Sequence, residues 1–179
     1  MMMISLGIGT TVALVVILVV SWLTGSHHST APSGALPPSA LVGKFVKPFH
    51  ADGLNGGVVK APWASGHPGV VIFFASWCGP CQHEMPKVAS YLDANPPGQV
   101  RVVGVDVNDT NASAQRFVKK VGVHFAIGTD PNFSITAGTF GFGQIPETVF
   151  VSARGIVQQV YFGAIPVKQL AAGIARLGA

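Results

Sequence analysis

Charge is scarce in this sequence, and cysteine is scarcer. Asp, Glu, Lys and Arg make up 10% of the 179 residues, and Met1 to Leu23 contains none of them. The lysines and arginines behind the formal +4 all lie beyond residue 43 and are dispersed, with no basic run interleaved with aromatics. A pI of 9.3 therefore argues little for nucleic acid as a partner. Cysteine occurs only at Cys78 and Cys81. No second C-x-x-C or H-x-H pair exists, and the six histidines (27, 28, 50, 67, 83, 124) are scattered, so a structural zinc site would lack half its ligands. A purely structural disulfide closing so short a loop would constrain the unfolded chain little. Thiol–disulfide exchange is the chemistry left for the pair.

Its surroundings support that chemistry. Val70 to Phe74 is an apolar run rich in β-branched and aromatic residues, the pattern of a buried strand. Beyond the cysteines, Met85, Val88, Ala89 and Leu92 recur at i, i+3, i+4 and i+7, one face of a helix from about 79 to 93. The dithiol thus falls at a strand-to-helix junction, with Cys78 at or near the N-cap. The first amides of a helix lack internal partners and its dipole is positive there. Pro80 has no N–H, so a thiolate at Cys78 would accept from the amide of Cys81. Such placement brings a thiol from a pKa of about 8.5 into the range of roughly 3.5–7.5.

Three segments follow from composition. Residues 1–24 form an N-terminal anchor: Ile4 to Leu23 is uncharged, and about 20 such residues suffice to cross a bilayer as one helix. A cleaved signal peptide is the competing reading, since Thr24 and Ser26 make a weak cleavage site; the long run with no preceding Lys or Arg favours the uncleaved anchor. Residues 25–40 are rich in Ser, Pro, Gly and Ala and carry His27-His28, which reads as a flexible tether. Residues 41–179 are globular in composition. A hairpin is expected around Gly53 to Gly57, then the strand at 70–74 and its helix, which Asn95-Pro96-Pro97-Gly98 stops. A second buried strand covers 100–107, a helix 113–121 and a short strand 125–128, with a turn or short helix after Asp130. Strands at 148–151 and 156–162 make a tight hairpin across Ser152 to Gly155, and a last helix carries Val167, Leu170, Ala171, Ile174 and Leu177 on one face. Alternating strands and helices followed by a hairpin predict an α/β fold: one mixed sheet with helices on both faces.

At this level the chain resembles a known family. Ala75-Ser76-Trp77-Cys78-Gly79-Pro80-Cys81 is similar to the thioredoxin signature. The domain more narrowly resembles the membrane-anchored TlpA/ResA/CcmG-like thiol–disulfide oxidoreductases of bacteria. Gly43 to Phe49 is similar to their domain opening, Glu84 and Pro86 to their E-x-P, and Gly141 to Val151 to their cis-proline loop and following strand. Val46-Lys47 and Val105-Asp106-Val107 depart from the pattern, at positions expected to lie outside the chemistry.

The resemblance implies a thioredoxin-like fold in which Cys78 attacks a substrate disulfide and Cys81 resolves the mixed disulfide. Glu84 would handle the proton of Cys81. Trp77, Gly79, Pro80, Ile145 and Pro146 would form the substrate contact, with Pro146 in cis and the Ile145 backbone pairing with an extended segment. Pro86 would only kink the helix. No cofactor is implied beyond the Cys78–Cys81 disulfide. The implied partners are proteins bearing cysteines or disulfides, such as apocytochrome c, and a membrane thiol that supplies electrons. The implied location is the extracytoplasmic side of a bacterial cell membrane, with a single pass. Gly79-Pro80 is similar to the thioredoxin dipeptide, whose potential of roughly −270 mV marks a reductant. Two alternatives stand beside this reading: a disulfide-forming oxidase on the same fold, and a copper metallochaperone using both thiolates and a histidine.

Overall fold

The computed structural model describes residues 40–179; the segments expected to be anchor and tether, up to residue 39, lie outside them. Among the described residues no helix is long and apolar enough to cross a membrane.

Two sheets are present among the described residues. β1 (His50–Asp52) and β2 (Val58–Lys60) pair antiparallel as a small sheet of their own. The main sheet holds β3 (Gly69–Phe74), β4 (Arg101–Val107), β5 (Ala126–Asp130), β6 (Glu147–Val151) and β7 (Val157–Phe162), in the spatial order β5-β4-β3-β6-β7. β3, β4 and β5 run parallel, while β6 is antiparallel to both β3 and β7. Parallel neighbours need crossover helices. These are α1 (Gly79–Ala94) and α2 (Asn111–Val121), and α3 (Val167–Gly178) closes the chain.

The three α-helices do not cover both faces; only the short 3-10 turn Pro62–Ser65 lies on the other one, and the expected arrangement is corrected to that extent. Buried residues of α1, α2 and α3 (Met85, Val88, Phe117, Val118, Leu170) all join one core cluster with Val70, Ile72, Phe74 and Phe150. The other face, with Val71, Phe73, Val103, Val105 and Val149, is covered by Val46, Phe49 and Trp63 from residues before β3, and by Ile135, Phe140 and Phe142 from the segment between β5 and β6. Handedness explains half of this. Both crossovers step the same way along the sheet, and right-handed connections then place α1 and α2 on the same side. Composition explains the rest: residues 131–146 contain Pro131, Gly138, Gly141 and Gly143 and form successive turns instead of a helix.

Local signals set the element ends. Thr110 caps α2, its Oγ1 accepting from the Ser113 amide at 3.3 Å, and Gly122 ends that helix in the left-handed region at φ 71°. α3 lies close on the sheet because Gly173 has no side chain: a Cβ there would sit 2.2 Å from the Phe150 ring.

Candidate active site

The site is assembled at one end of the main sheet. β3 leads out through Ala75-Ser76-Trp77 to Cys78, the N-cap of α1. In register, Phe74 faces Asp106 on parallel β4, and Phe73 faces Glu147 on antiparallel β6. The antiparallel pairing brings the residues just before β6, Ile145 and Pro146, to the end of β3 from which the cysteines depart.

Cys78 and Cys81 form a disulfide with their Cα atoms 5.2 Å apart. The Sγ of Cys78 accepts from the Cys81 amide at 3.2 Å. Pro80 takes a first-turn position of α1, where its missing N–H costs nothing. The two sulfurs differ in access: Cys81 is fully buried, whereas Cys78 is 5% exposed and flanked by exposed Trp77, Gly79 and Pro80. The loop holding Cys78 is clasped by the residues after β4. Ser76 donates its amide to Asp109 Oδ2 at 2.8 Å, and Trp77 Nε1 donates to the Asn108 carbonyl at 3.0 Å. With its nitrogen tied down, the indole remains 56% exposed beside the disulfide.

Glu84 follows Cys81 by three residues, so both side chains share a face of α1. It is buried, and neither carboxyl oxygen makes a well-formed hydrogen bond. Burial raises its pKa from 4.5 to about 7, and the nearby backbone of Ile165 only restrains the rise. The carboxyl is thus poised to hold or release a proton near neutrality.

The peptide bond between Ile145 and Pro146 is cis. Pro146 is buried and its carbonyl accepts from the Gly163 amide at 2.9 Å. Ile145 is half-buried and packs against the core cluster that contains both cysteines.

Two more carboxyls at this end were not singled out from the sequence. Asp106 is buried on β4, and burial with the neighbouring charge of Asp109 raises its pKa to about 7. Glu147 is buried at the start of β6; burial raises its pKa to about 7, against the hydrogen-bonding contact from Gln144. Asp106 belongs to a stretch expected to lie outside the chemistry, yet it stands opposite Phe74 in the strand that leads to Cys78. A signal existed, since Asp106 interrupts an otherwise apolar strand from Val102 to Val107. A charge in a buried strand needs a partner or a purpose.

An exchangeable disulfide at a helix N-cap, a cis-proline loop beside it and a buried acid one turn along the helix, on a five-stranded mixed sheet, define a thioredoxin-like thiol–disulfide oxidoreductase. The chain belongs to the AhpC/TSA family, whose model matches residues 42–160. It is 26% identical to the thiol-disulfide oxidoreductase ResA of Bacillus anthracis over 129 residues, covering 72% of this chain and 74% of that protein. It is also 26% identical to the thiol:disulfide interchange protein DsbE of Pseudomonas fluorescens biotype C over 132 residues, covering 72% and 70%. Among solved structures, MTB DsbF in its mixed oxidized and reduced forms superposes with a TM-score of 0.65 at 32% identity, over 72% of this chain and 94% of that one.

Proposed function

We propose that this protein is a membrane-tethered, extracytoplasmic oxidoreductase that reduces disulfides of partner proteins, apocytochrome c being one candidate, and is recharged by a membrane thiol donor. The observation that carries the reading is the asymmetry of the pair: one sulfur at a helix N-cap accepting an amide, the other fully buried one turn from an acid that titrates near neutrality. In the reduced protein the Cys78 thiolate attacks a substrate sulfur. The substrate S–S bond breaks, its second sulfur leaves as a thiolate, and a mixed disulfide forms. Cys81 gives its proton to Glu84 and attacks Cys78. The Cys78–substrate bond breaks, the substrate's two thiolates take one proton from Glu84 and one from solvent to leave as a dithiol, and Cys78–Cys81 remains oxidised. Trp77 and the Ile145 backbone hold the substrate segment against the disulfide, while Gly79-Pro80 favours the reducing direction. Anchor (1–24), tether (25–40) and catalytic domain (41–179) divide the chain.

The test is alkylation by iodoacetamide against pH on single-cysteine variants. Cys78 is expected to react first, with an apparent pKa below about 8.5, and Cys81 slowly; a faster, more acidic Cys81 would reverse the roles. Direction is tested by the reduction potential, where a value near −120 mV would mark an oxidase. Substrates are tested by trapping mixed disulfides with Cys81→Ser. The copper reading is tested by titrating the reduced protein with Cu(I), for which two thiolates are suited ligands.

A further inference from the structure

At Ser76, two residues from Cys78, begins an open groove of about 420 Å³ between α1 and α2 that the exchange chemistry does not use. Its apolar walls are Pro86, Phe117 and Val121, its outer edge carries Arg116 and Lys120, and Ser76 and Gln82 line its end nearest the cysteines. That end is rigid: Gln82 Nε2 donates to the Ser76 carbonyl at 2.7 Å, while Asp109 holds the Ser76 amide. Ser76 is two residues from Cys78, so the groove opens directly onto the loop that any substrate must touch. Pro86, which the sequence suggests only as a kink, contributes its exposed ring to this wall.

The charge here is one-sided. α2 carries Arg116, Lys119 and Lys120 and no carboxylate along its whole length. Arg116 donates to Ser113 Oγ at 3.0 Å, which leaves its charge uncompensated. Among the described residues the one salt-bridge contact, the Asp93 carboxylate with the His124 imidazole at 3.7 Å, involves none of these cations. Asp109, whose oxygens accept from the amides of Ser76 and Thr110, forms no ion pair with them either. A concave apolar wall under two unneutralised cations fits a chain segment that presents carboxylates above apolar side chains.

We infer that the α1–α2 groove docks an acidic stretch flanking the reactive cysteine of a protein substrate, with Arg116 and Lys120 as specificity-determining residues. The inference rests on exchange with protein disulfides. Both side chains are exposed, so their replacement leaves the core intact.

The experiment uses the reduced full chain in single-turnover reactions with two disulfide-bridged peptides that differ only in flanking residues, three Asp or Glu in one and three Lys in the other. A neutral small disulfide, hydroxyethyl disulfide, serves as reference. The acidic peptide should react about tenfold faster at low salt, as two exposed charge pairs allow. That preference should fall toward one at high salt. Arg116→Glu with Lys120→Glu should invert it and leave the hydroxyethyl disulfide rate unchanged. Equal peptide rates in the native protein, or a preference that survives the double reversal, would overturn the groove assignment while exchange itself stands. Reaction with hydroxyethyl disulfide but with neither peptide would instead remove the protein-substrate reading, and this proposal with it. Loss of binding to phosphatidylglycerol vesicles in the double variant, with no peptide preference in the native protein, would assign the cations to a membrane surface and overturn the proposal.

Discussion

Two buried acids show how differently this fold treats a carboxyl. Asp130, at the end of β5, is completely buried and richly supplied with donors. Its Oδ1 accepts from Ser134 Oγ and the Ile135 amide, both at 3.1 Å, and its Oδ2 from the Thr136 amide and hydroxyl at 2.7 and 2.6 Å. Glu84, nearly as buried, has no well-formed partner at either oxygen. A buried polar group is inexpensive when hydrogen-bonded and costly when not. Asp130 therefore builds structure, folding the loop that carries Ile135, Phe140 and Phe142 onto the sheet. Glu84 costs stability at the site, and that cost makes a proton exchangeable near neutral pH. Burial alone does not separate the two roles; the donors do.

Removing the donors' acceptor should give the largest effect. Asp130→Ala strands the amides of Ile135 and Thr136 and the Thr136 hydroxyl in the interior and should lower stability by roughly 3 kcal/mol or more, read as a fall in urea midpoint at constant m. An unchanged midpoint would mean that the loop folds without its acid.

Glu84→Gln should move stability the other way, and only in a pH window. The folded pKa of about 7 lies above the ordinary 4.5, so the folded state binds the proton more tightly. Stability from this group is intact below pH 4.5 and is lost as pH rises through 7. The Gln variant should gain on the order of 3 kcal/mol relative to the native protein at pH 8, with the gain shrinking toward pH 5. The same substitution should slow resolution of the mixed disulfide by about a hundredfold while sparing the first attack. A pH-independent gain would show that packing, and not ionisation, is at work.

Asp106→Asn tests whether the acid on β4 belongs with Glu84. Its pKa is raised in the same direction, to about 7, so the variant should also gain stability between pH 4 and pH 8, by a similar amount on the order of 3 kcal/mol. Denaturation at the two pH values reads it directly; a loss at pH 8 would place Asp106 with Asp130 instead. Smallest of all, Thr136→Val removes one of the donors to Asp130 and should cost about 1 kcal/mol, again measured as a midpoint shift.

Much of this was legible in the residues. The strand at 70–74, the helix after Cys78, the hairpin across Ser152 to Gly155 and the last helix were all marked by their periodicity or their turn residues. Their observed bounds differ by only one or two positions. The segment after Asp130 was less legible. Its apolar residues Ile135, Phe140 and Phe142 keep neither a helical nor a strand period, because glycines break it and one buried acid organises the turns. The coverage of the two faces was also misread, since helix counts carry no information about side. That follows from the direction in which consecutive crossovers step.

What the sequence determined by itself was local: two cysteines at a strand-to-helix junction, a proline that removes one amide so that the next can serve Cys78, and an acid one turn along. Periodicity and backbone chemistry act over a few residues, so a few residues suffice to state them. Tertiary structure alone decided that Glu84 is buried close to the Ile165 backbone, that Asp106 and Glu147 lie buried at the end of the sheet where the cysteines depart, and that the cations of α2 border a groove near the disulfide. Burial and field at a carboxyl depend on whatever chain comes to cover it. Here that chain arrives from strands and loops far along the sequence, placed by the antiparallel pairing of β6 with β3.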